Sequence, residues 1–203
     1  MIFDHLVVGA ITLAEAQGHI ENALGLPMQP GGQHSVFHTH NALMGLEDGL
    51  YLEAIAPDPD APPPARPCWY DLDRFEGPAR LSNWACAVDD LDKELSKMPD
   101  GCGAPVKVTR GALHWHMAVS DQGTTPFDNL WPALLQWPAG IVHPATRLAP
   151  TGIRLRRLTL VHPEAERLAD ALTRHLDDPR VAFETGSVAM QAVFDTPHGQ
   201  RTL

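Results

Sequence analysis

The chain has 203 residues, enough for one large domain or two small ones, either of which buries an apolar core without covalent staples. A formal net charge of -10 opposes any electrostatic hold on phosphate backbones, which argues against nucleic acid as a partner. Cys68, Cys86 and Cys102 are odd in number and lack a CxxC spacing, so neither a disulfide framework nor a thiolate zinc knuckle is expected and a reducing, cytoplasmic setting fits.

At the N-terminus Asp4 and Glu15 flank too short an apolar run for a signal peptide. Ile2 to Val8 instead reads as a strand, followed by a helix that Thr12 opens with Glu15 three residues on, a capping box. Leu13, Ala16, Ile20 and Leu24 form one apolar stripe, and Gly25 is a natural C-cap. Strands are predicted over Ser35 to His40, Ala42 to Leu46 and Leu50 to Ala56, the last two joined by a turn at Glu47-Asp48-Gly49. From Pro57 to Pro78 the chain is too proline-rich for regular structure; Trp69 and Tyr70 there either cover a sheet edge or form part of a lid.

The pattern then recurs. A strand from Leu81 to Val88 passes through Asp89 and Asp90 into a short helix with Leu91, Leu95 and Met98 on one face. Strands follow over Val106 to Arg110, Leu113 to Val119 and Ala133 to Trp137, with a long loop from Ser120 to Trp131. Pro132, Pro138 and Pro144 break the uncharged stretch from Asn129 to Thr146, so no membrane span is expected. A third instance starts with Arg154 to Val161 and a helix with Pro163 in its first turn, its stripe Ala165, Leu168, Leu172 and Leu176 ending at Asp178-Pro179. Strands over Val181 to Glu184 and Val188 to Phe194 precede a turn at Thr196 to Gly199.

This repetition predicts an α+β fold of repeated βαβββ modules, whose cupped antiparallel and mixed sheets carry their helices outside. The divisions are 1–58 for module one, 59–78 for the Pro-rich linker, 79–138 for module two, and 152–203 for a third, compressed βαββ module.

Strand alternation puts Phe3, His5 and Val7 on one face of the first strand and Asp4, Leu6 and Val8 on the other; Tyr51, Glu53 and Ile55 share a face of the fourth. A histidine and a carboxylate thus stand mid-strand among apolar residues, where burial costs several kcal/mol unless a partner or ion compensates. A shared site explains both. The segments DHLVVGA from Asp4, THNALMGLEDGLYLEAIAPDP from Thr39 and WACAVDDLDKEL from Trp84 resemble the glyoxalase-like branch of the vicinal oxygen chelate superfamily.

The resemblance implies facing modules around a concave site, with metal ligands drawn from the first and last strands of each. His5 and Glu53 match the two ligand positions of module one, while Asn83 and Gln136 stand in the second. His5, Glu53 and Gln136, with water, could then hold a divalent ion (Mn, Fe, Ni or Zn), Glu53 also serving as catalytic base in lyase, isomerase or dioxygenase chemistry. His40, Asn41, Tyr51, Trp69, Arg110 and Trp115 are the candidate contacts to a small organic ligand. The alternative is a non-catalytic binding or sequestration protein of the same fold, which the amides at Asn83 and Gln136 favour. A homodimer is compatible with either.

Two His-x-His pairs, His38/His40 and His114/His116, could each present both imidazoles on one strand face, but solvated faces account for them apart from His40. Gly32 before His38-x-His40, and Pro138-x-Gly140-x-x-His143, look like fragments of the cupin motifs. Glu47 and Arg147 break those motifs, and three amphipathic helices have no place in a minimal jelly roll.

Overall fold

A computed structural model describes residues 1–203. Strand β1 (Ile2–Gly9) runs into helix α1 (Leu13–Leu24), whose start is the capping box expected: Thr12 Oγ1 accepts from Glu15 N–H and Glu15 Oε2 accepts from Thr12 N–H. Such a cap contributes about 1 kcal/mol. Gly25 closes the helix in the left-handed region, φ 78°, its N–H donating to the Glu21 carbonyl.

Three strands follow: β2 (Gln29–His34), β3 (Thr39–Gly45) and β4 (Tyr51–Pro57), with β4 returning parallel to β1 to give the order β1-β4-β3-β2. The strand expected over Ser35 to His40 is displaced: residues 35–38 are the turn, with His38 at φ 51°, and β2 lies earlier. Its Pro30-Gly31-Gly32 run carries little strand propensity, and tertiary pairing with β3 holds it extended.

Module two repeats the plan with β5 (Arg80–Ala87), α2 (Leu91–Leu95), β6 (Ala104–Arg110), β7 (Leu113–Val119) and β8 (Ala133–Gln136). Asp90 caps α2 by accepting from Lys93 N–H. β1 and β5 pair antiparallel through the centre, and His34 against Arg110 joins β2 to β6, so the eight strands close. The result is the α+β, cupped-sheet architecture expected.

The last quarter of the chain forms a separate four-stranded sheet from β9 (Arg154–His162), β10 (Val181–Thr185), β11 (Ala189–Thr196) and β12 (Gly199–Thr202), crossed by α3 (Ala165–Leu172). Its order is β10-β9-β11-β12, with β9 central and β10 parallel to it, unlike the order of the first two modules. The turn expected at Thr196 to Gly199 is present, and β12 follows it, pairing back onto β11. Pro163 stands just before the cap residue Glu164 rather than in the first helical turn, which begins at Ala165.

Two apolar cores result. The outer one packs Leu6, Val8, Leu52 and Ala54 of the barrel's outer face against Ala16, Ile20 and Leu24 of α1, and extends to Leu158, Leu160, Leu168 and Leu172 of the C-terminal unit. The inner one fills the barrel with Val7, Ile55, Ala85, Trp115, Met117 and Leu135. The Pro-rich linker joins the inner core: its 3-10 turns at Trp69–Arg74 bury Trp69, Tyr70 and Leu72. Tyr70 and Asp71 both have φ 58°, a conformation that costs non-glycine residues roughly 1–2 kcal/mol each. Burial of the two rings compensates for it.

Candidate functional site

The parallel register of β1 and β4 sets Val7 opposite Glu53 and His5 opposite Tyr51, so His5 and Glu53 project into the barrel on the same face. Their approach is 3.5 Å, His5 Nε2 to Glu53 Oε2, and each is only 4% exposed. The Tyr51 ring stacks on the His5 imidazole at 4.4 Å.

The other imidazole nitrogen shows what simple alternation misses. Phe3 pairs with Cys86 and His5 with Ala85, so Asp4 is an extra residue in β1, a bulge that breaks the two-residue period. Phe3 turns to the outer core, and Asp4 Oδ1 accepts from His5 Nδ1 at 2.7 Å. Asp4 Oδ2 accepts from Trp137 Nε1 at 2.9 Å and from His143 Nε2 at 3.0 Å. His143 Nδ1 itself accepts from Ala145 N–H, which puts the His143 proton on Nε2.

The far side of Glu53 is equally defined. Asn41 Oδ1 accepts from Gly32 N–H at 2.9 Å, so its amide nitrogen faces inward and donates to Glu53 Oε1. The nearby His34 Nδ1 bonds Thr39 Oγ1, which also accepts from Trp69 Nε1. His34 Nε2 faces the Asn41 amide at 3.5 Å.

Burial alone would lower the His5 pKa, but hydrogen bonds and charge from Asp4 and Glu53 prevail and raise it to about 9. Burial would raise Glu53, yet His5, His34 and Asn41 hold it down at about 2. Asp4 also resists burial, and its bonds to His143 and His5 hold it well below the usual carboxylate range. At His34 burial outweighs the pull of the Glu53 charge and depresses the imidazole to about 4. At neutral pH the cluster is therefore an imidazolium between two carboxylates, beside a neutral imidazole.

The ceiling is aromatic. Trp69, Tyr70, Trp115 and Trp137 close over the cluster with Arg110 beside Trp115, its guanidinium 6.0 Å from the ring centre. The enclosed space is about 10 Å³, roughly what one water molecule needs.

Of the residues singled out in the sequence, His5, Glu53, Tyr51, Trp69, Arg110 and Trp115 line this space, and Asn41 stands behind Glu53. Two do not. Gln136 points out of the barrel, where its Oε1 accepts from Leu91 N–H and its Nε2 donates to the Asp89 carbonyl, tying β8 to the start of α2. His40 alternates with Thr39 and Asn41 and so faces the opposite side of β3.

The assignment of Gln136 fails by register. Val7 pairs with Glu53, and on the alignment that sets Asn83 against His5, Val7 corresponds to Ala85, whose partner on β8 is Ala133. Module two thus offers an amide and a methyl group where module one offers His5 and Glu53. Asp4, His34, Tyr70, Trp137 and His143 complete the site. Trp137, the residue after Gln136, is the one whose indole reaches Asp4.

A pair of βαβββ modules cupped around buried strand residues is the architecture of the vicinal oxygen chelate superfamily. The model of the glyoxalase-like domain matches residues 3–176, and the chain belongs to that family. Among solved structures, a hypothetical protein from Staphylococcus aureus shares the fold, with a TM-score of 0.61 at 11% identity over 92% of this chain and 86% of that one. No curated protein matches.

The divalent ion that the resemblance implies meets a poor donor set. Gln136 is engaged outside, Asn41 turns N–H rather than oxygen toward Glu53, and no three His, Cys, Asp or Glu side chains are grouped to hold an ion.

Proposed function

We propose that the barrel interior binds a small carbonyl compound and moves a proton on it, with Glu53 as base and the His5 imidazolium facing the oxygen. The observation that carries this reading is the 3.5 Å approach of His5 Nε2 and Glu53 Oε2 in an enclosed, aromatic-walled space. Glu53 would take a proton from the carbon next to the carbonyl; the C–H electron pair would move into an enolate, whose oxygen the His5 Nε2–H stabilises. A carboxylate held at about 2 is a weak base. A ligand oxygen that draws the His5 N–H away from Glu53 would raise its basicity when the substrate is in place.

Asp4 orients the imidazole, and Trp115 and Trp137 supply flat walls for an aromatic group. Arg110 at the rim suits an anionic substituent. Because the space is nearly filled, entry requires Trp69 and Tyr70 to swing out with the linker turn. The second reading, sequestration without turnover, draws on the Asn83 and Ala133 counterparts, which bring no second acid or base.

Phenylpyruvate, an aryl keto acid with an acidic C–H, distinguishes the two in deuterium oxide. Turnover predicts exchange of its methylene protons above the background rate, lost in Glu53→Gln while binding persists. Binding with no acceleration in the wild type supports sequestration, and equal exchange in Glu53→Gln removes Glu53 as the base. A divalent ion of the Mn, Fe, Ni or Zn type would have to displace the His5 proton, so metal added to the protein should release acid on uptake.

A further inference from the structure

A well-walled hollow lies outside the barrel's polar cluster, in a groove of about 460 Å³ between the start of β5 and strand β11 of the C-terminal sheet. Its size suits a small organic ligand. Phe75, Leu81, Leu130 and Met190 give it apolar walls, and Tyr70 is a wall common to it and the His5–Glu53 space.

Polar groups there lack counterparts, the buried Ser82 Oγ among them. Asn83 is 1% exposed, and neither its side-chain oxygen nor its nitrogen has a hydrogen-bond partner. Leaving such an amide dry and unpaired is costly, and native interiors rarely tolerate it without a role. The charges at the rim are otherwise matched: Arg74 pairs with Asp71, and Asp128 with His162. Arg80 is the exception. Its guanidinium lies over the Phe75 ring at 4.0 Å and bonds only the Glu76 and Pro78 carbonyls, with no carboxylate in reach.

We propose that this groove is a second binding site, for a small aromatic carboxylate whose acid group meets Arg80 and whose far end carries a hydrogen-bonding group for Asn83. The ring would pack among Phe75, Leu81 and Met190. Asn83 offers an NH2 group that donates and a carbonyl oxygen that accepts, which match a hydroxyl in both of its roles. Glu53 does not line the groove, so the site stands or falls apart from the chemistry proposed for the barrel.

The test is a titration of the isotope-labelled full chain with 4-hydroxybenzoate, followed by amide NMR shifts. Saturable shifts are expected at Ser82 to Trp84 and at Val188 to Gln191. Arg80→Gln, at an exposed position that folding tolerates, should weaken binding about tenfold or more, as should the uncharged 4-hydroxybenzamide with the wild type. Asn83→Leu should weaken 4-hydroxybenzoate but not benzoate, which has no hydroxyl to lose, while Glu53→Gln binds like the wild type. Shifts centred on His5 and Tyr51 instead, no saturation, or equal affinity in Arg80→Gln would each overturn the proposal; the last outcome does so even if Asn83→Leu fails to fold.

Discussion

Asp4→Asn is the most informative single substitution, because Asp4 is the bulged residue on which three donors converge: His5 Nδ1 at 2.7 Å, Trp137 Nε1 at 2.9 Å and His143 Nε2 at 3.0 Å. The asparagine is isosteric and keeps one acceptor, but its amino group must then confront at least one of those N–H groups. Removing one partner of a buried ion pair costs roughly 3–5 kcal/mol when the other charge is stranded. Here Glu53 remains as a counter-ion to His5 and the imidazole can shed its proton, so about 2 kcal/mol is expected at pH 6.5.

The loss should depend on pH. In the wild type, the stability from the raised His5 pKa is complete below the ordinary value of 6.5 and disappears as pH rises through about 9. Asp4→Asn removes part of that rise, so its penalty should be largest near pH 6.5 and shrink toward pH 10. Urea unfolding of both proteins from pH 6 to 10 measures it. A penalty under about 0.5 kcal/mol, within what ordinary surface changes produce, or one independent of pH, would refute the role given to Asp4.

Two further predictions concern the wild-type profile and the linker. His34, lowered from 6.5 to about 4, contributes stability that is present above 6.5 and lost as pH falls through 4, the opposite window from His5; unfolding followed across pH should therefore peak near 6.5, and a maximum above pH 8 would contradict the His5 assignment. Gly123, at φ 75°, would place a Cβ 2.0 Å from the Cys68 carbonyl oxygen under the Trp69–Arg74 turn, whereas Gly111, at φ 57°, has open space around it. Gly123→Ala should cost well above the ~1 kcal/mol expected from backbone conformation alone in Gly111→Ala, and should loosen Trp69 as seen by fluorescence; equal penalties would show that the turn is not seated as described.

What could be read in advance follows physical reach. The α1 cap depends on residues three apart, and its geometry is the one that the Thr12 to Glu15 spacing implies. The approach of His5 to Glu53 needs only alternation within two strands plus the pairing of first and last strands in one module. Asp4 was hidden because a bulge leaves no mark in apolar periodicity, and here it redirects two consecutive side chains. Gln136 shows the same sensitivity from the other side, since a slip of one residue moves a side chain from the lumen to the exterior, and it is Trp137 whose indole reaches Asp4. His34 lies in a segment whose Pro and Gly content reads as loop, and only its hairpin with β3 delivers it to Asn41, which holds Glu53. Tyr70 and His143 come from irregular connections, whose paths are set by the cavity they cover rather than by local pattern.

A buried imidazolium between Asp4 and Glu53 defines the site, and nitrogen NMR of the imidazoles in labelled protein, with His5 assigned through His5→Gln, reads that state directly. Both His5 nitrogens should carry protons at pH 7, with a titration midpoint near 9. A single neutral tautomer at pH 7, or a midpoint at or below 6.5, would mean that the two carboxylates do not hold the proton, and the acid-base pairing of His5 with Glu53 would be wrong.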